Sequence, residues 1–263
     1  MIRREFKINL KSFIIWTSCL IIMFLIVFLV YPYIVTDDSI RNLDEMMKIF
    51  PRDLLKAFNM DIASISNAYG WLKSEGLMFV LIVVGLYASI MGSNIVLKEE
   101  KDKTIEYLGS IPITRNKIMT NKIIVAISYI LLMIIVLGLF NYISLLLSCT
   151  FDHTQYLLLS ISPVFIALPL FSINLFISTL LHKTKGTVGI GMGMVFIFYI
   201  ISVISELSDK VEVLRYFSIY TLADTRGILT DTKINIICVI VSIVISVVFA
   251  YLSYVKYNGK ELL

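Results

Sequence analysis

Only two histidines, His153 and His182, occur in the 263 residues, and neither a CxxC nor an HExxH pattern is present. Zinc sites are built from such clusters, so the chain offers no candidate metal ligands. Its three cysteines, Cys19, Cys149 and Cys238, stand in or at the ends of apolar runs at unrelated positions. They read as small packing residues and not as a disulfide framework. No GxxxxGK[ST] loop exists, so the chain does not cradle ATP phosphates by that route, and it carries no candidate cofactor site of its own. Charge is also scarce: 16% of residues are charged and 58% are hydrophobic. A soluble domain is excluded, and the net charge of +4 bears on membrane orientation, not on nucleic acid.

What is present is apolar length. Six runs, at about 13–35, 76–97, 123–151, 154–181, 186–205 and 234–255, carry no Asp, Glu, Lys, Arg or His well inside them. Each is long enough, at ~1.5 Å per helical residue, for the ~30 Å hydrocarbon core of a bilayer. The expected fold is an all-α integral membrane protein whose six transmembrane helices form one domain over residues 1–263. A charge at mid-bilayer costs about 2.5–3.5 kcal/mol on insertion scales, so its absence disfavours a side-chain proton relay. Energy for any transport has to arrive from outside the membrane.

Orientation follows from the connecting segments. Lys and Arg are about twice as dense in 1–12, 98–122, 182–185 and 256–263 as in 37–75, 152–153 and 206–233, which places the first set and both termini in the cytoplasm. Ile2, Phe6, Leu10 and Phe13 recur at helical spacing among Arg3, Arg4, Lys7 and Lys11. That pattern predicts an N-terminal interfacial helix on the inner leaflet, or a basic flank that orients the first span. Leu43, Met46, Met47 and Phe50, then Leu54, Leu55 and Phe58 after Pro51, predict a helical cap on the outer surface. Pro163 and Pro169 invite kinks in the fourth span.

The stretch from Lys98 to Lys122, KEEKDKTIEYLGSIPITRNKIMTNK, is a charged handle between two uncharged runs. Asp102 or Thr104 can cap a short helix that Gly109 and Pro112 end, and Thr114 can cap the next helix. Ile105, Tyr107 and Leu108 make an apolar knob framed by Glu99, Glu100, Glu106 and Arg115. Such a knob suits a groove on a soluble partner, or a loop helix resting on lipid headgroups. Elsewhere, Gly189 and Gly193 form a GxxxG pair, a helix-packing or dimer face.

Glu99, Glu100, Thr104 to Leu108, Ser110 to Arg115 and Lys122 resemble the coupling-helix signature of type 2, exporter-type ATP-binding-cassette permeases, which lies between the second and third spans. The resemblance extends over the chain, through Phe50 to Phe58 and Leu214 to Phe217. Lys103 stands where the family usually has Gly, and Gly109 where it often has Leu. The resemblance implies a permease subunit of the bacterial plasma membrane that dimerises with itself or a paralogue. It also implies docking to a separate cytoplasmic ATPase that holds ATP and Mg, and export of an amphipathic or hydrophobic substrate, an antimicrobial peptide or drug-like compound. On that reading the ATPase-coupling residues are Glu99, Glu100, Thr104, Ile105, Glu106, Tyr107, Leu108, Pro112 and Arg115, and the chain has no catalytic residue. A non-transporting anchor or sensor would use the same handle. An intramembrane enzyme would need polar groups to converge at depth, where Asn94, Asn141 and Asn174 are the largest available.

Overall fold

The computed structural model describes residues 2–34, 67–101, 113–181, 184–207 and 209–259. The predicted outer helices of 37–66, the knob and the turn at His182 and Lys183 lie outside the described residues. The α-helices are α1 (Ile2–Ile34), α2 (Ala68–Trp71), α3 (Leu77–Lys101), α4 (Arg115–Ser148), α5 (His153–Ile161), α6 (Val164–Leu180), α7 (Thr184–Leu207), α8 (Thr225–Asp231) and α9 (Ile236–Asn258). Among the described residues, six stretches are long and apolar enough to cross a membrane: Ile2–Tyr31, Ala68–Glu99, Arg115–Ser148, His153–Leu180, Gly186–Leu207 and Ile236–Asn258. These are the six spans expected. The second is composite, since α2 passes into α3 through one π-helical turn, Leu72–Gly76.

The N-terminal basic segment is helical, as expected, but is not a separate element. α1 runs unbroken for 33 residues, about 50 Å, which exceeds the hydrocarbon thickness. Of the apolar face read in the sequence, Ile2 and Leu10 are exposed while Phe6 and Phe13 pack against the bundle, and Glu5, Asn9, Thr17, Leu20 and Phe24 are buried. Glu5 is inside because it finds a cationic partner on α4, and a paired charge can be buried where an unpaired one cannot.

The centre of the bundle is the contact of α3 with α6. Gly85, Ala88, Ser89, Gly92 and Ser93 give α3 a face of small residues, which lets backbones approach closely in a membrane. At Gly92 an added methyl would run into the Phe171 carbonyl oxygen and lie 3.0 Å from the Leu175 nitrogen. Asn174 donates from Nδ2 to Ser89 Oγ at 3.2 Å and to the Leu170 carbonyl at 2.8 Å. Ser93 Oγ reaches the Thr187 carbonyl at 3.3 Å, so α7 packs here through Gly191, which sits against Asn174 and Ser93. A methyl added at Gly189 or Gly193 would meet nothing within 4 Å among the described residues. α9 closes the other side of α6, with Ser242 Oγ donating to the Phe165 carbonyl at 2.8 Å.

The fourth span breaks where Pro163 follows Ser162: α5 ends at Ile161, and α6 restarts at Val164. Pro163 has no N–H to continue the ladder, and Ser162 Oγ turns back to the Leu159 carbonyl at 2.8 Å. Pro169 lies inside α6 without ending it. Asp152 caps α5 by accepting from the backbone of Thr154 at 2.8 Å and of Gln155 at 3.1 Å. Gln155 then accepts from Tyr69 Oη at 2.8 Å and donates to the Leu229 carbonyl at 3.1 Å, joining α2, α5 and α8 at this end.

Between α7 and α9 two 3-10 helices, Asp209–Phe217 and Ile219–Ala223, lead into α8. Asp224 joins them with φ 44° and ψ 43°. Its carboxylate accepts from the Asn235 backbone at 3.2 Å and faces the Arg215 guanidinium at 3.4 Å. Asp and Asn tolerate the left-handed region far better than alanine. Asp224→Ala is therefore expected to lower stability by about 1–2 kcal/mol, with Asp224→Asn intermediate, read as apparent melting temperature in detergent. Equal melting of all three proteins would contradict this account of the turn.

Candidate functional site

The segment read as a handle leaves the bundle at the end of α3 and returns at the start of α4. Thr114 takes the extended backbone of an N-cap (φ −68°, ψ 146°) without a side-chain capping bond. Thr104, Ile105, Glu106, Tyr107, Leu108 and Pro112 lie outside the described residues. The site that can be built is its root.

Lys122, on the second turn of α4, is 1% exposed. Its ammonium donates to Glu99 Oε1, to the Ile95 carbonyl at 2.8 Å and to Glu5 Oε1 at 3.3 Å. All three ammonium donors are thereby used. Glu99 and Glu5 are 5% and 2% exposed, so two carboxylates and one ammonium are withdrawn from water together. The cluster links α3, α4 and α1. Around it, Asn9 Nδ2 donates to the Glu5 carbonyl at 3.0 Å, and Tyr129 Oη to the Phe6 carbonyl at 2.7 Å. The Tyr129 ring also packs edge-on against Phe6 and tilted against Phe13, with centroids 5.2 and 5.1 Å apart.

The first turn of α4 grips a different helix. Arg115 Nη1 donates to the Asn258 carbonyl at 3.0 Å, and so meets the last turn of α9, where free carbonyls and the negative end of the helix dipole favour a cation. Asn258 Nδ2 donates to Asn116 Oδ1 at 2.7 Å, and Tyr254 Oη to Thr120 Oγ1 at 2.9 Å. The handle's root is thus fastened to α1 on one side and α9 on the other.

This arrangement alters the place of two residues read as a solvent-facing rim. Glu99 is turned inward, because Lys122 stands beside it where the sequence alone shows only flanking charge. Arg115 is exposed but engaged with α9. Glu100 lies in the last turn of α3, and its side chain is outside the described residues. Sequence reasoning passed over Glu5 and Lys122 as a pair. The available signal was that Glu5 is the only acid among residues 1–12, an anomaly in a basic flank. Of the polar amides, Asn174 is committed between α3 and α6, and Asn141 lines a small cavity with Leu72, Gly76, Gly138 and Tyr156.

The sequence pattern of the family described as ABC-2 family transporter protein matches residues 1–262. The chain belongs to the ABC-2 transporter family. Comparison with curated proteins and with solved structures finds no match. As an ABC-2 transporter chain with six helices long and apolar enough to cross a membrane among its described residues, it is a multi-pass membrane protein of the permease kind. ABC-2 membership implies a cytoplasmic ATPase subunit as partner. At the root of the 102–112 segment in this ABC-2 chain, polar contacts join α1, α3, α4 and α9.

Proposed function

We propose that this chain is the permease of an ATP-driven exporter in a bacterial plasma membrane, with both termini in the cytoplasm, and that the 102–112 segment receives the motion of a separate ATPase carrying ATP and Mg. The observation that carries the reading is the root: a segment fixed to α3 and α4, and through them to α1 and α9, can deliver a displacement to most of the bundle. Ile105, Tyr107 and Leu108 form the docking knob on this reading, with Thr104, Glu106, Pro112 and Glu100 around it. Glu99 and Arg115 serve from behind as anchors of the stems. ATP binding draws two such segments together, and the bundles rock between inward- and outward-facing states. The substrate is amphipathic or hydrophobic, an antimicrobial peptide or drug-like compound, in keeping with spans that lack charge.

Two permease chains are needed for two ATPases, and the open face of α7 suits the contact. Because a Cβ at Gly189 or Gly193 meets nothing within 4 Å among the described residues, Gly189→Leu with Gly193→Leu is expected to leave the melting temperature of the monomer unchanged while weakening its dimer, read by light scattering in detergent. An unaltered dimer would move the interface elsewhere. The function itself is tested by reconstituting permease and ATPase in vesicles. Amphipathic cationic peptides or a hydrophobic dye should stimulate hydrolysis and move in an ATP-dependent way. A stable complex that moves none of a broad panel would favour an anchor or sensor.

A further inference from the structure

The Lys122 cluster holds more charge than joining the two stems requires. Glu99 and the Ile95 carbonyl, both on α3, would tie α4 to α3 and leave one ammonium matched by one carboxylate. Glu5 adds a second buried carboxylate, costly to withdraw from water, and it comes from α1. The attachment is repeated two turns along α4, where Tyr129 binds the Phe6 carbonyl at 2.7 Å. α4 thus grips α1 at adjacent residues, Glu5 and Phe6, through polar atoms. Over its most apolar stretch α1 is only 17% buried, against 67% for the span ending at Glu99. α1 is a peripheral helix held at this end by a small polar clasp.

We propose that Lys122 is a positioning residue which, through Glu5, makes α1 move as one body with the stems of the 102–112 segment, so that a displacement of the segment reaches the lipid-facing edge of the permease. The inference rests on the reading of 102–112 as the ATPase-docking segment. Glu99 holds the ammonium in place from the α3 stem. Glu5 carries the tie outward to α1. Without Glu5 the stems stay joined to each other, and α1 is left to the Tyr129–Phe6 hydrogen bond and its apolar contacts.

The test uses the permease–ATPase complex in nanodiscs, on a background of Cys19→Ser, Cys149→Ser and Cys238→Ser, with spin labels at Lys7→Cys on α1 and Lys117→Cys on α4. Both positions are exposed. The interlabel distance is measured by pulsed EPR before and after trapping with ATP and vanadate. In the parent a single narrow distance is expected that trapping leaves unchanged. In Glu5→Gln the ATPase stays bound, but the distance broadens and shifts on trapping. Lys122→Arg behaves as the parent and Lys122→Met as Glu5→Gln. If Lys122→Met fails to fold, Glu5→Gln, which keeps Lys122 with Glu99, decides alone. A merely stabilising cluster would lower melting temperature without altering the response to ATP. A parent distance that changes on trapping, or a Glu5→Gln distance identical to the parent's in both states, would overturn the inference while leaving ATPase docking intact. A parent that binds no ATPase would overturn the docking reading and this inference with it.

Discussion

Leu108→Asp is expected to leave the permease inserted and folded but without its ATPase after affinity purification in detergent. A knob residue seated in a partner's groove contributes about 2 kcal/mol or more when truncated, roughly thirtyfold in affinity, and a carboxylate in its place adds the cost of desolvating a charge. Folding is expected to survive because the stems on either side of the segment are held by contacts of their own. Glu99, Lys122 and Glu5 join the stems on the bundle side, and Arg115 joins them to α9. Leu108→Ala should weaken binding by less, and Leu108→Ile least. ATPase recovered with Leu108→Asp in wild-type amounts would move the docking surface away from the knob.

Gly92→Ala carries the largest expected effect on the fold itself. A methyl there has no flexible side chain to displace, because its neighbours are the Phe171 carbonyl and the Leu175 nitrogen of α6. α3 and α6 must part, at a cost of about 2–3 kcal/mol, toward the upper end for overpacking. The Asn174 to Ser89 hydrogen bond across the same contact would lengthen with it. Gly189→Ala is the matched control, since that position opens on free space. Melting in detergent should fall clearly for Gly92→Ala and hardly at all for Gly189→Ala. Equal behaviour would mean that α3 and α6 do not pack backbone to backbone.

Those two glycines also mark what the sequence made legible. Apolar run length defines spans well, because a bilayer demands about 20 residues of helix whatever the neighbours are. The six helices therefore stand where the runs do. Which face of a span packs inward is decided by its neighbours, and the small-residue faces of α3 and α7 look alike in one dimension. Gly189 and Gly193 drew the eye as GxxxG, yet within this chain Gly85, Gly92 and Gly191 make the close approaches. The N-terminal segment shows the same limit. Periodicity showed the apolar side of α1 that bears Ile2, Phe6, Leu10 and Phe13, but not that Lys122, over a hundred residues away, holds Glu5 inside. The break at Pro163 was readable because it acts locally, through a missing N–H, whereas Asp152, read only as part of a turn, proves to cap α5.

The central claim, that a cytoplasmic ATPase docks at the 102–112 segment, is tested most directly by site-specific photocrosslinking. Benzoylphenylalanine is placed at Tyr107 and, as a control in the segment assigned to the outer surface, at Tyr216, and the permease is co-expressed with its cognate cassette ATPase. Irradiation is expected to join position 107 to the ATPase, identified by mass spectrometry, and to give no such product from position 216. Crosslinks to the ATPase from 216, or an intact complex in which 107 reaches only lipid, would contradict the account.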